Sequence, residues 1–91
     1  MNVRVYCRVY GRVQGVFFRA SAKEYASAIG VGGWVRNMVD GSVEGIIEGE
    51  KNKVDMMIKW CKKGPAHAFV EKFEFIEEDF QGNLLEFKIK Y

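Results

Sequence analysis

The chain has 91 residues, which is enough for one domain over residues 1–91 and leaves no room for a second. A chain of this length buries about 60–65% of its unfolded surface, so its core is modest. Hydrophobic residues make up 48% of the sequence and charged residues 29%, a composition that excludes a disordered protein. The net charge is +2, from 14 basic and 12 acidic residues, so the broad basic excess of most nucleic-acid-binding proteins is excluded. Any anion site must therefore be local.

The first predicted element is a half-buried strand over Asn2–Tyr10. Hydrophobic and polar side chains alternate there, so one set faces a core and the other faces away from it. The inward set is Val3, Val5, Cys7 and Val9, and the outward set is Arg4, Tyr6, Arg8 and Tyr10.

A loop containing two glycines follows, reading Gly-Arg-Val-Gln-Gly-Val-Phe-Phe-Arg from Gly11 to Arg19. Glycine allows backbone conformations that other residues resist, so successive N–H groups can curl around a small anion. The helix predicted after this loop directs the positive end of its dipole into the same space. Arg19 adds a guanidinium whose planar fork suits phosphate oxygens. The loop therefore predicts a phosphate-sized cradle.

The alanine-rich segment from Ala20 to Ile29 predicts the first helix. Ser21 and Glu24 have the spacing of a capping box, and Gly30 is a suitable C-terminal stop. If Ser21 caps the helix, the helix begins after Arg19. If it begins earlier, its first turn contains Arg19. The sequence leaves both possibilities open.

The remaining elements follow from alternation, helical periodicity and turn residues. Imperfect alternation in the fourth strand suggests a bulge. In chain order, the predicted elements are a strand over Gly33–Asn37, a hairpin turn at Asp40-Gly41, a strand over Ser42–Glu48, a helix over Glu50–Lys63 that ends at Gly64-Pro65, a strand over Phe69–Glu77, a turn at Gln81-Gly82-Asn83 and a final strand over Leu85–Tyr91.

This order is β-α-β-β-α-β with an added terminal strand. It predicts an α+β protein of the ferredoxin-like, split βαβ type. In that arrangement, two helices cover one face of a mostly antiparallel sheet of four to five strands. The fold hosts many unrelated functions and does not by itself indicate one.

A second informative segment runs from Gly33 to Val43. Its simplest interpretation is a hairpin in which Trp34 fills the core, Gly41 forms the turn and Asn37 ends the strand. Asn37 has a second possible role, because an amide offers both a donor and an acceptor and can hold a water molecule without taking its proton.

Both segments resemble the signatures of the acylphosphatase family. The loop matches Gly-x-Val-Gln-Gly-Val-x-Phe-Arg, and the second segment matches Gly-(aromatic)-Val-x-Asn-x-x-x-Gly-(Ser/Thr)-Val at a similar distance along the chain. The resemblance covers nearly the whole chain, including Gly64-Pro65 and the final Phe-x-Ile-x-Tyr. Ala22 and Met38 depart from it, since relatives often carry threonine and a small polar residue there.

The resemblance implies a hydrolase that cleaves acyl phosphates to a carboxylate and inorganic phosphate. No cofactor is expected, and the lack of a carboxylate or histidine cluster around Arg19 and Asn37 predicts that the reaction is metal-independent. The resemblance implies Arg19 as the catalytic arginine and Asn37 as the residue that positions water. It also implies a phosphate cradle made by the backbone amides of Gln14, Gly15, Val16, Phe17, Phe18 and Arg19. Phosphate and sulfate are expected to compete with substrate, and a monomer that binds neither nucleic acid nor membrane is expected.

A metal site is not expected from the residues themselves. Asp40 is the only acidic residue within the two motifs, and a turn explains it. His67 is the only histidine and is expected at the surface. Cys7 and Cys61 fit no metal-binding spacing and are expected to be buried, reduced thiols. The sequence has no apolar run of the roughly 18–20 residues that span a membrane and no leader, so a cytoplasmic location is expected.

Two alternative functions remain open. One is an RNA-binding module on the same type of fold, supported by Arg4, Tyr6, Arg8 and Tyr10 but weakened by a third strand with two acids and no aromatic ring. The other is a non-catalytic or carbamoyl-phosphate-handling domain, since acylphosphatase-like domains also occur within larger maturation enzymes.

Overall fold

The structure, a computed structural model, describes all residues from 1 to 91. Five strands and two helices follow one another along the chain in the predicted order. They are β1 (Asn2–Arg12), α1 (Phe18–Ile29), β2 (Gly32–Asn37), β3 (Val43–Glu50), α2 (Lys51–Lys63), β4 (Phe69–Glu78) and β5 (Phe87–Lys90).

The five strands form one sheet with the order β4-β1-β3-β2-β5. All neighbouring strands are antiparallel except β2 and β5, which are parallel. Both helices pack against one face of the sheet, and the other face is free of helices. The predicted α+β, split βαβ architecture is therefore confirmed, with β5 as the added strand at one edge.

One core lies between the sheet and the helices, and it contains 17 buried residues. The inward side chains of β1 belong to it, as the alternation predicts, together with one buried stripe from each helix. These stripes are Phe18, Ala22 and Ala26 from α1, and Val54, Met57, Ile58 and Cys61 from α2. Cys7 and Cys61 are both buried and unpaired, as expected.

The prediction that Trp34 fills the core is wrong. Trp34 is only half-buried and lies outside the core cluster, because its neighbour Val35 takes the inward position on β2. The indole lies instead on the helix-free face, with Lys90 Nζ at 4.3 Å and Arg36 Cζ at 5.4 Å from its ring centre. Trp34 and Val35 are adjacent apolar residues that must face opposite sides of the strand, so the sequence alone does not decide which of them faces the core.

The irregularity predicted in the fourth strand is present. Tyr10 pairs with Lys72 and Gly11 pairs with Val70, so Glu71 is an extra residue in β4. Gly11 has a φ of 124°, and a Cβ atom there would lie 2.2 Å from the Phe69 carbonyl oxygen. Glycine therefore permits the close approach of the two strands at the bulge.

Residues 79–86 form an irregular connection rather than a tight turn at Gln81-Gly82-Asn83. The connection joins β4 and β5, which lie at opposite edges of the sheet. It is held by Glu48, whose carboxylate accepts hydrogen bonds from the N–H groups of Gln81, Gly82 and Leu84 at 2.9, 3.1 and 3.3 Å. The final strand is consequently shorter than predicted, at four residues.

Candidate active site

The two sequence motifs meet at one end of the sheet. Asn37 ends β2 opposite Val43, which in turn pairs with Val9 near the end of β1. The loop that follows β1 leads into the N-terminus of α1 at the same end. β5 runs parallel to β2, with Lys90 beside Arg36, so the end of the chain also reaches this place.

A cleft of about 280 Å³ opens where these elements converge. Its polar groups include the side chains of Arg19 and Asn37, so the structure brings together two residues that are 18 positions apart in sequence. The remaining lining comes from the loop, the start of α1 and the end of the chain. These residues are Val13, Gly15, Phe17, Phe18, Ala20, Ile89 and Tyr91.

The backbone of the loop is arranged to present N–H groups. Gly15 and Phe17 both have left-handed backbone conformations, with φ values of 75° and 64°. Such alternation of backbone handedness forms concave nests of N–H groups that bind anions. A Cβ atom at Gly15 would meet nothing within 4 Å, so glycine is favoured there by its conformation rather than by lack of space.

The N–H groups from Gln14 to Ala20 have no hydrogen-bond partner within the protein. The first hydrogen bond of α1 is donated by Ser21 N–H to the Phe17 carbonyl at 3.0 Å. The helix therefore begins at Phe18, its first turn contains Arg19, and Ser21 does not act as the cap. Because helix N-termini carry a partial positive charge, these unpaired groups favour an anion.

Arg19 forms no ion pair with any carboxylate of the protein. Its guanidinium carbon lies 5.1 Å from the centre of the Tyr91 ring, a cation–π contact that leaves the N–H donors available. The side chain is half-buried and lines the cleft. The Arg19 guanidinium is therefore available to bind an anionic ligand in the cleft.

Asn37 carries a buried side-chain oxygen with no hydrogen-bond partner. Its Oδ1 atom is the only such buried side-chain atom in the structure. A buried acceptor without a partner costs free energy, about 1–3 kcal/mol in typical proteins. Since Asn37 lines the cleft, a water molecule or ligand group can supply the missing hydrogen bond.

Gln14 has a structural role that the sequence analysis missed. Its Nε2 donates to the carbonyl oxygens of Met38 and Ser42 at 2.8 and 2.9 Å. Those carbonyls begin and end the connection between β2 and β3, so the side chain ties the loop to the hairpin that carries Asn37. Neither Gln14 nor Val16 has a side chain lining the cleft, and Val16 packs against the core. No local pattern signals a contact between segments so far apart in sequence.

The β2–β3 connection is further held by a network around Asp40. The Asp40 carboxylate accepts hydrogen bonds from Ser42 N–H at 3.0 Å and from Arg8 Nη2 at 2.9 Å, and Arg8 Nε donates to Ser42 Oγ at 2.7 Å. The hydrogen bonds from Ser42, followed by the charge of Arg8, lower the pKa of Asp40 below its ordinary value. Asp40 thus stabilises the turn, which agrees with the simpler interpretation of this residue.

No group of three or more His, Cys, Asp or Glu side chains is placed to hold a metal ion. His67 is exposed after the end of α2, as expected. Burial raises the pKa of the Cys7 thiol to about 12 and that of Cys61 well above its ordinary value, so both thiols remain protonated and unreactive at neutral pH. The helices α1 and α2 have 12 and 13 residues, fewer than a membrane-spanning helix needs.

Comparison with known proteins assigns the chain to a family. The acylphosphatase family model matches residues 5–89. The chain belongs to the acylphosphatase family. It is 52% identical to an acylphosphatase of Rubrobacter xylanophilus over 98% of this chain and 79% of that protein. It is 45% identical to an acylphosphatase of Syntrophus aciditrophicus over 100% of this chain and 95% of that protein.

A solved acylphosphatase structure also supports the assignment. The crystal structure of acylphosphatase from Bacillus subtilis matches with a TM-score of 0.93 and 31% identity, covering 98% of this chain and 99% of that one. The two departures from the acylphosphatase signatures lie outside the cleft lining. Ala22 is fully buried in the core, and Met38 takes part in the β2–β3 connection through its backbone.

Proposed function

We propose that this acylphosphatase hydrolyses the carboxyl–phosphate bond of small acyl phosphates with Arg19 and Asn37 as its catalytic residues. The observation that carries the proposal is the single cleft that holds an unpaired guanidinium, a buried unpartnered amide oxygen and the N-terminus of α1. Each of these groups lacks a partner within the protein, and a phosphoryl group with an attacking water molecule satisfies all three.

The phosphoryl group is bound by backbone and side chain together. The N–H groups from Gln14 to Arg19 donate to its oxygens, and the Arg19 guanidinium supplies a charged, planar fork. As the reaction proceeds, the negative charge on these oxygens stays close to donors that are already in place. Groups fixed in this way stabilise the transition state without reorganising.

Asn37 holds the attacking water. Its Oδ1 accepts a hydrogen bond from the water, which directs an oxygen lone pair towards phosphorus. The water oxygen forms the new bond to phosphorus, and the bond between phosphorus and the acyl oxygen breaks with its electron pair leaving on the carboxylate. A proton of the water passes to a phosphate oxygen, so the products are a carboxylate and inorganic phosphate.

No general acid is required in this reaction. The conjugate acid of the leaving carboxylate has a pKa of about 4–5, so the group departs as an anion. An alkoxide is far more basic and needs protonation or a metal ion to leave. The site therefore discriminates between substrates by their leaving groups.

The test is to compare hydrolysis of benzoyl phosphate with that of an alkyl phosphate monoester, each with and without excess EDTA. We expect rapid hydrolysis of the acyl phosphate that EDTA does not change, and very slow or no hydrolysis of the monoester. Inorganic phosphate and sulfate are expected to inhibit competitively. A requirement for Mg²⁺, or similar rates on the two substrates, would show that the mechanism lacks a catalytic group.

We further propose that the enzyme acts as a monomeric, single-domain protein in the cytoplasm. One chain provides every group of the proposed site, so no second copy is needed to complete it. The two free, buried thiols are consistent with a reducing compartment.

The RNA-binding alternative receives no support from the helix-free face of the sheet. The central strand β3 contributes two buried carboxylates and no aromatic ring to this face, and both carboxylates are paired with arginines. These are Glu44 with Arg36 and Glu48 with Arg4. Arg4 and Arg36 are therefore already paired with protein carboxylates and are less available to bind a phosphate backbone.

A further inference from the structure

Phe17 combines two unfavourable features at the edge of the cleft. Its side chain is 76% exposed, and it is the only residue other than glycine with a positive φ, at 64°. Bulky residues rarely adopt this conformation, because it brings Cβ too close to the backbone. Strained residues of this kind occur mainly where function requires them.

The Phe17 ring does not contribute to the packing of the protein. It lies outside the core cluster and the residues packed against it, and it takes part in no aromatic pair. As the N-cap of α1, it provides no side-chain hydrogen bond. Glycine or asparagine would adopt the same backbone with less strain. The fold alone therefore does not explain a phenyl ring at this position.

The Phe17 ring does line the cleft, and the cleft has a polar part and an apolar part. Beside the phosphate-binding groups, the walls are largely apolar: Val13, Phe17, Phe18, Ala20 and Ile89, with the Tyr91 ring at the edge. Arg19 is the only charged residue of the lining, and the phosphoryl group is expected to occupy it. An acyl group with a second negative charge would find no second cation in the cleft, and a polar acyl group would lose hydrogen bonds to water.

We propose that the cleft selects acyl phosphates whose acyl group is aromatic or similarly compact and apolar, and that the Phe17 side chain forms the contact that selects them. The inference rests on the proposed function, since it places the phosphoryl group on Arg19. The exposed ring loses water contact when the acyl group packs against it, and this supplies favourable free energy roughly in proportion to the apolar area covered.

Ligand binding tests the proposal without requiring turnover. Phenylphosphonate and methylphosphonate share a phosphoryl head and differ only in the apolar group, so the ratio of their dissociation constants isolates the acyl contact. By calorimetry, we expect the wild-type protein to bind phenylphosphonate about tenfold more tightly. In Phe17→Asn, whose side chain tolerates a positive φ, we expect the ratio to fall to about two. Phe17→Gly should give the same reduced ratio.

Leu85→Asn is the matched control. Leu85 is 92% exposed and apolar but lies at the other end of the sheet, in the connection that precedes β5. This variant should keep the tenfold ratio. The same comparison by kcat/KM for benzoyl and acetyl phosphate should show a parallel loss of preference in both Phe17 variants.

The outcomes separate this inference from the proposed function. If the wild-type protein binds both phosphonates equally, or if Phe17→Asn and Phe17→Gly keep the preference, the role of Phe17 is contradicted while acyl phosphate hydrolysis can still be observed. If the phosphonate ratio behaves as expected but no acyl phosphate is hydrolysed, the proposed function fails and the apolar contact remains. If neither phosphonate binds, the role of Phe17 and the proposed function are both contradicted.

Discussion

Arg19 and Asn37 line the same cleft, and we propose different tasks for them. Arg19 offers charge without a protein partner, whereas Asn37 offers a buried neutral acceptor. Arg19→Ala should therefore abolish turnover and weaken inorganic phosphate binding, because the charged fork is lost. Asn37→Ala should lower kcat strongly, by about a hundredfold or more, and leave phosphate inhibition nearly unchanged. Steady-state kinetics with phosphate as competitive inhibitor measures both effects.

Two variants control for nonspecific effects at the residue scale. Arg12→Ala removes an exposed arginine at the end of β1, and this arginine forms no ion pair. Asn83→Ala removes an exposed asparagine far from the cleft. Both should keep wild-type kinetics, and all four variants should remain folded by circular dichroism. Activity of Arg19→Ala within tenfold of wild type would refute its assignment, and loss of phosphate affinity in Asn37→Ala would refute the water-positioning role.

At the scale of elements, the proposed site depends on how the loop from Gly11 to Arg19 and the β2–β3 connection are joined. Gln14 provides this link through two hydrogen bonds to carbonyls at the start and end of the connection. We expect Gln14→Leu to lower the free energy of unfolding by about 1–2 kcal/mol and kcat by about tenfold, since Asn37 becomes less well positioned. Urea denaturation and steady-state kinetics provide the measurements.

Gln81→Leu is the matched control, because Gln81 is the only other glutamine and its side chain is exposed. Its backbone N–H, which binds Glu48, is unaffected by the substitution. If Gln14→Leu and Gln81→Leu have equal stability and equal kcat, the hydrogen bonds of Gln14 do not position the hairpin.

At the scale of the whole molecule, Glu48 anchors the connection that joins the two edge strands of the sheet, β4 and β5. Only 1% of its side chain is exposed, and it accepts three backbone hydrogen bonds from the 79–86 connection and a fourth from Arg4 at 3.2 Å. Burial by itself raises the pKa of this carboxyl, but the hydrogen bonds from Gln81 and Gly82, and then that from Arg4, outweigh it and hold the pKa below its ordinary value.

The lowered pKa makes the contribution of Glu48 depend on pH. Because the folded-state pKa lies below the unfolded value of about 4.3, the stabilisation is complete above that value and is lost as the pH falls through the folded-state pKa. Glu48→Gln should lower the free energy of unfolding at pH 7 by about 2 kcal/mol, and the difference from wild type should shrink below about pH 4. Urea denaturation at several pH values tests this.

Glu86→Gln is the control for Glu48, because the Glu86 side chain is 74% exposed and pairs only with exposed Lys88. Surface pairs of this kind contribute little, so its stability should follow that of the wild type at each pH. A Glu48→Gln protein that keeps a constant difference from wild type down to pH 3 would show that the carboxylate charge is not what holds the connection.

Local sequence patterns determined most of the secondary structure of this protein. Alternation in β1, helical periodicity in α2 and the Asp40-Gly41 turn are properties of neighbouring residues, so they predicted the elements and the inward faces correctly. The two motifs also placed Arg19 and Asn37 as candidates. Only the tertiary structure decided the face of Trp34, the start of α1 and the link made by Gln14, because each depends on residues distant in sequence or on a left-handed conformation at Phe17 that sequence preference opposes. The cleft was also decided only by the tertiary structure, since it exists only where the ends of β1, β2 and β5 meet.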